Sequence, residues 1–143
     1  MTVRCWGQNA LGGPRSLGFV TVTAPAATGW TRLFGGPWGV CGLTDAGGLA
    51  CWGQVASESR STPVALTGPE LAGVTDASVA YGSICMLRTT DNSRVCWGGN
   101  TSRQLGDGTN LDIANPKVLD QGQTADVALS SYFGCAIRGG GVT

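Results

Sequence analysis

Six cysteines are the residues best placed to do chemistry in this 143-residue chain, and their spacing points to sulfur–sulfur bonding. They fall in two alternating contexts. Cys5, Cys51 and Cys96 each open a Cys-Trp-Gly triplet, whereas Cys41, Cys85 and Cys135 each sit inside a short apolar run. Between Cys41 and Cys51 two apolar arms flank Asp45-Ala46-Gly47-Gly48. Between Cys85 and Cys96 they flank Thr90-Asp91-Asn92-Ser93. A turn rich in Asp, Asn and Gly between apolar arms is a hairpin signal. Facing residues of an antiparallel pair lie about 4.5 to 5.5 Å apart, a span that a disulfide bridges. Closing a loop of about 11 residues stabilises a fold by roughly 2.5 to 3 kcal/mol on the chain-entropy model. Buried free thiols in a reducing compartment are the other reading. Zinc is disfavoured, because the chain has neither histidine nor Cys-x-x-Cys. Cysteines paired regularly on hairpins favour an oxidising compartment, hence an extracellular or cell-surface location.

Other chemistries find little support. With no histidine, the commonest general base and the commonest metal ligand are both missing. Glu58 and Glu70 fall in loop-like segments and have no recurring acidic partner. Serines and threonines lack an evident base to activate them, and no phosphate-loop motif occurs. Asp45, Asp91 and Asp107 lie in Gly-rich turns, where a short carboxylate bonds nearby backbone, and their spacing is not that of a calcium loop. The expectation is therefore no catalytic residue, no cofactor and no metal. Asn100-Thr101-Ser102 matches an N-glycosylation acceptor, although the same asparagine also suits a turn.

The elements that must carry these cysteines follow from a repeat. The Cys-Trp-Gly triplets step by 46 and then 45 residues. After each triplet comes a polar connection: residues 8–13 in the first unit, 54–61 in the second and 100–110 in the third. A proline (Pro25, Pro63, Pro116) follows, as suits a strand start or an edge strand. Apolar runs predict strands over Trp30 to Phe34, Val74 to Tyr81 and Ala125 to Tyr132. About four short strands per 45 residues is the size of one propeller blade. The chain thus reads as one all-β propeller segment over 1–143, about three four-stranded blades in repeats near 3–50, 51–95 and 96–143, open or completed by another copy. Composition agrees, with 24 glycines and 42% hydrophobic residues. Nine basic and nine acidic residues balance to zero, with a single lysine, Lys117, which argues against a nucleic-acid surface. No run of about 18 apolar residues exists to span a membrane. Met1-Thr2-Val3-Arg4 leads straight into the first triplet, so the chain reads as beginning inside a repeat unit of something longer.

At residues 95–109 the pattern Val-Cys-Trp-Gly-Gly-Asn followed by Gln-Leu-Gly-Asp-Gly-Thr resembles the signature of the regulator of chromosome condensation repeat. Residues 3–9 and 49–53 carry its front half. Residues 36–43, 80–87 and 130–137 resemble the end of that family's preceding strand, with Gly39, Ser83 and Phe133 where the family has histidine. The resemblance implies a β-propeller, commonly of seven four-stranded blades. The paired cysteines look like a secreted, disulfide-stapled variant. The family includes a nucleotide-exchange factor for a small GTPase, ubiquitin-ligase modules, an ultraviolet photoreceptor and a secreted β-lactamase inhibitor, so fold alone does not fix function. Trp6, Trp52 and Trp97 are expected to pack between blades. Trp38, Tyr81, Tyr132 and Phe133, just before the upstream cysteines, are candidates for a partner-binding surface. Cys5 and Cys135 are left without partners and are expected to bring the two ends together, from another copy or repeat segment, head to tail. The expected function is a non-catalytic protein-interaction or structural module that binds a protein partner or further copies of itself. The alternatives are a regulator of a nucleotide-binding protein and a secreted enzyme inhibitor.

Overall fold

The computed structural model describes residues 2–7, 16–25 and 29–139, which form twelve β-strands, with a 3₁₀ turn at Pro69–Leu71 and no α-helix among these residues. The connection after the first triplet, residues 8–13, lies outside the described residues. Among the described residues no helix is long and apolar enough to cross a membrane. The strands are β1 (Val3–Gly7), β2 (Ser16–Val22), β3 (Trp30–Gly35), β4 (Gly39–Thr44), β5 (Leu49–Val55), β6 (Glu58–Leu66), β7 (Val74–Ala80), β8 (Ser83–Arg88), β9 (Ser93–Gly98), β10 (Ile113–Asp120), β11 (Thr124–Leu129) and β12 (Gly134–Arg138). They build two complete antiparallel blades, β3-β4-β5-β6 and β7-β8-β9-β10, flanked by the two-stranded sheets β1-β2 and β11-β12.

The central hairpin of each complete blade forms for local reasons. In the first, Thr44 closes the turn: its N–H donates to Gly48 O at 2.8 Å, while its hydroxyl accepts from Gly48 N–H at 3.1 Å. Gly47 supplies the positive φ. Asp45, expected to bond within this turn, instead accepts from Gly29 N–H at 2.9 Å and clamps the start of β3. In the second hairpin Asn92 takes positive φ, and the Asp91 carboxylate accepts from Ser93 N–H and pairs with Arg88. These turns bring Cys41 opposite Cys51 and Cys85 opposite Cys96. Both pairs are disulfides, with Cα atoms 4.0 and 4.1 Å apart. Pro63 and Pro116 lie on the outermost strands β6 and β10, where a missing amide costs no ladder bond to a further strand.

Side-chain alternation along each triplet strand then joins the blades. Successive residues point to opposite faces, so the cysteine and the tryptophan of a triplet serve different interfaces. Trp52 packs with Trp30, Val3 and Val22, on the side of β1-β2. Trp97 packs with Phe34, Leu49 and Val55, on the side of β3–β6. Cys85 and Cys96 face the other way, toward Leu105, Val127 and Leu129. Trp6 departs from the expected core role: it is 75% exposed, against 1% for Trp52 and 6% for Trp97, and touches Phe19 edge-on at 5.7 Å. Among the described residues no blade stands on its side of β1-β2, which leaves the indole without a surface to bury.

Replacing Cys41 and Cys51 together by serine is expected to lower the unfolding free energy by about 2.5 to 3 kcal/mol. Urea titration under non-reducing conditions measures it. A loss under about 1 kcal/mol would mean that the sheet register alone holds the two arms.

Candidate functional site

The turns β3–β4, β7–β8 and β11–β12 occupy one position in three successive sheets, and each presents an aromatic side chain to solvent. They are Trp38 in the first, Tyr81 in the second, and Tyr132 with Phe133 in the third. Trp38 and Tyr81 meet edge-on across the blade boundary, ring centroids 6.5 Å apart. The backbone beneath them is fixed. Trp38 O accepts from Gln54 N–H at 2.8 Å, and Gly82 O accepts from Gly99 N–H at 2.8 Å and from the Ser57 hydroxyl. The turn of β5–β6 and the long connection 99–112 therefore share this end of the molecule. That connection adds Leu111, also exposed. Leu111 carried no signal in the sequence, because an isolated leucine in a polar loop has no periodicity to mark it.

The connection 99–112 is organised by Asn100. Its Nδ2 donates to Asp107 Oδ1 at 2.9 Å and to Thr109 O at 3.2 Å, and its Oδ1 accepts from Leu105 N–H at 3.0 Å. Asn100 and Leu105 are both fully buried. The nitrogen that would carry a glycan is thus enclosed and engaged in two hydrogen bonds. Asp107 in turn accepts from the N–H and hydroxyl of Thr109. Slight burial pushes the Asp107 carboxyl upward, but the Thr109 and Asn100 donors outweigh it and hold the group below its ordinary value.

Among the described residues one charged side chain is buried. Arg94 donates to Asp120 at 2.7 Å and to Leu105 O at 2.6 Å, while Asp120 also pairs with Arg138 of β12. The pair ties β9, the 99–112 connection, β10 and β12 together. In the sequence its only sign was a charge inside an otherwise apolar strand. Cys5 and Cys135 are free thiols, the first partly buried, the second exposed. Among the described residues no group of three or more His, Cys, Asp or Glu is placed to hold a metal ion.

No family model matches the sequence, and no curated protein matches it. Solved structures do match the fold. Human WBSCR16 superposes with a TM-score of 0.80 at 14% identity, over 97% of this chain and 40% of that one. Prp20p from Saccharomyces cerevisiae, described together with its binding to Gsp1p and histones, superposes with a TM-score of 0.69 at 12% identity, again over 97% and 40%. Yeast RCC1 (Prp20) bound to Kap60 gives 0.51 at 16% identity, over 63% and 23%. The chain thus has the fold of a regulator-of-chromosome-condensation propeller and spans about 40% of the length of the first two of these proteins. At such identities the likeness is one of fold.

Asn100→Ala is expected to cost about 2 to 4 kcal/mol, since it strands the buried Leu105 N–H and opens the loop; urea titration at neutral pH measures it. The Asp107 contribution has a definite pH sign. A carboxyl held low when folded stabilises above its unfolded value, near 3.8, and that stabilisation fades as pH falls through the lower folded value. Stability curves of the parent and Asp107→Asn should therefore differ at neutral pH and converge in acid. Parallel curves down to the acid limit would refute the assignment.

Proposed function

We propose that the chain is a non-catalytic protein-interaction module of a disulfide-stapled extracellular propeller, and that it grips its protein partner with the end bearing Trp38, Tyr81, Tyr132 and Phe133. The observation that carries the reading is the recurrence of an exposed aromatic on the same turn of three successive sheets. Large exposed aromatics are costly to leave wet, and Trp and Tyr are the residues that most often anchor interfaces. Two disulfides support an oxidising location. Protein binding is also what is described for Prp20p, with Gsp1p and histones, and for yeast RCC1, with Kap60. A regulator of a nucleotide-binding protein fits less well, because the chain is uncharged overall and its disulfides suit a compartment without such proteins.

A photo-cross-linking amino acid at Trp38 or Tyr132 should trap one discrete protein in the cells that make this chain. The same probe at Ala46, an exposed residue in the β4–β5 turn at the opposite end, should not. Tyr81→Ser should reduce capture from Trp38 several-fold without lowering the melting temperature. Equal capture from Ala46, or a large drop in stability, would show that these aromatics serve packing.

A further inference from the structure

The rings of Trp38 and Tyr81 are 53% and 51% exposed and stand 72° apart, with centroids 6.5 Å from each other. An edge-on pair of this kind leaves an open notch walled by flat apolar faces. The two turns that carry the rings belong to the complete blades β3–β6 and β7–β10, so the notch does not depend on the outer sheets. Among the described residues neither the Trp38 indole N–H nor the Tyr81 hydroxyl has a partner. Arg103, exposed where its own N–H closes a turn onto Asn100 O at 2.8 Å, has no carboxylate partner either. The carboxylates of this end are engaged within the fold. Glu58 pairs with Arg60, Asp107 accepts from Asn100 and Thr109, and Asp112 accepts from the Asn100 N–H at 2.8 Å. The free polar groups here are therefore ones that donate.

The floor beneath the notch is held by packing. Ala56 and Ser57, in the β5–β6 turn, both take positive φ, which neither residue type favours. A Cβ on Gly98 would lie 3.0 Å from Ala56 Cα and 2.3 Å from Gly82 O, and the Ser57 hydroxyl donates to that same Gly82 O. Backbone held in a sparsely populated region persists only where its surroundings over-determine it. Gly82 directly follows Tyr81, so the ring stands on a fixed base.

We propose that the partner presents a proline-rich segment in the polyproline II conformation, one proline ring seated in the notch between Trp38 and Tyr81. The Trp38 indole N–H, the Tyr81 hydroxyl and the Arg103 guanidinium donate to the carbonyls of that segment. The inference rests on the reading of this end as the protein-binding end. Three features select this occupant. Proline has no amide hydrogen and polyproline II makes no internal hydrogen bonds, so such a segment offers acceptors with few donors, the complement of this surface. A preformed segment meeting a fixed notch loses little conformational freedom, and aromatic-lined grooves are the general means of reading such segments. Finally, Arg103 is the cation at this end without a carboxylate, too little charge to select an acidic peptide, and an added β-strand would need an open sheet edge where this end has turns.

The test titrates the intact chain with nonaproline and with Gly-Ser and Asp-Glu peptides of equal length, following the Trp38 indole N–H by nuclear magnetic resonance. Nonaproline should move that signal and bind at least about tenfold more tightly than either other peptide, and Trp38→Ala should abolish the difference. Tyr81→Phe and Arg103→Gln, which remove donors at exposed positions, should each weaken nonaproline binding several-fold with unchanged thermal melting. Equal binding of the Gly-Ser peptide, tighter binding of the Asp-Glu peptide, an unmoved Trp38 signal, or no nonaproline binding at millimolar concentration would each overturn the proposal. If nonaproline fails while a cross-linker at Trp38 still traps a protein, the proline assignment alone falls. Loss of the cross-link as well would remove the protein-binding end itself.

Discussion

The fold depends on a backbone constraint at the glycine of each Cys-Trp-Gly triplet. Gly7, Gly53 and Gly98 all hold positive φ, between 79° and 102°. At Gly98 a Cβ would lie 2.3 Å from Gly82 O, so even an unstrained side chain has no room there. In all three sheets the ladder to the outer strand slips between the cysteine and this glycine. The tryptophan sits within the slip. Two residues of the triplet strand there oppose a step of four on the outer strand, a bulge that bends the outer strand and adds twist, and the twist lets a four-stranded sheet stack on its neighbours as a blade. Before the slip, plain alternation sends the cysteine to one blade interface and the tryptophan to the other. One tripeptide thus provides the staple, the inter-blade wedge and the glycine opposite which the outer strand bends.

That economy explains why so much of the architecture is legible in the sequence. A tripeptide with three separate physical duties tolerates little change, so it recurs recognisably, and its period gives the blade. The hairpin turns are equally readable because Gly47 and Asn92 are residue types that accept the left-handed region. Less legible was whatever depends on distant partners. Trp6 has the same two neighbours in sequence as Trp52 and Trp97, yet its burial depends on a surface that its own repeat does not supply. Asn100 matches a glycosylation acceptor by its next two residues, but its fate is decided by Asp107, Thr109 and Leu105, which fold back over it. The aromatic turns were visible only as a position before each upstream cysteine. That they share one end follows from sheet order, which places β3–β4, β7–β8 and β11–β12 alike.

Neutral charge does not mean that charges are idle. Several of the ion pairs and polar bonds found here join one sheet to the next. Arg32 of β3 pairs with Asp76 of β7 at 2.8 Å and donates to Thr75 O. Leu129 N–H of β11 donates to the Ser78 hydroxyl of β7 at 2.7 Å. Arg138 of β12 reaches Asp120 of β10 in the neighbouring sheet, where Arg94 of β9 pairs with the same carboxylate from within the blade. The exposed Arg32 pair contributes little energy, but the enclosed Arg94 pair cannot lose one partner cheaply, since the other would be left as a buried charge. Hydrophobic wedges hold the blades together, and these few polar contacts set the angle and register at which they meet.

Stability in such a stack is a sum of blade terms and nearest-neighbour interface terms. The two complete blades have four strands, a disulfide and a neighbour on each side. The outer sheets have two strands and one neighbour, and a two-stranded sheet is marginal by itself. Opening should therefore begin at β1-β2 and β11-β12 and reach the stapled blades last. The same distribution puts adaptability at the two edges and rigidity beneath Trp38 and Tyr81. An aromatic pair held over two disulfide-bonded hairpins has little conformational freedom left to lose when it meets a partner. That favours recognition over the stapled centre.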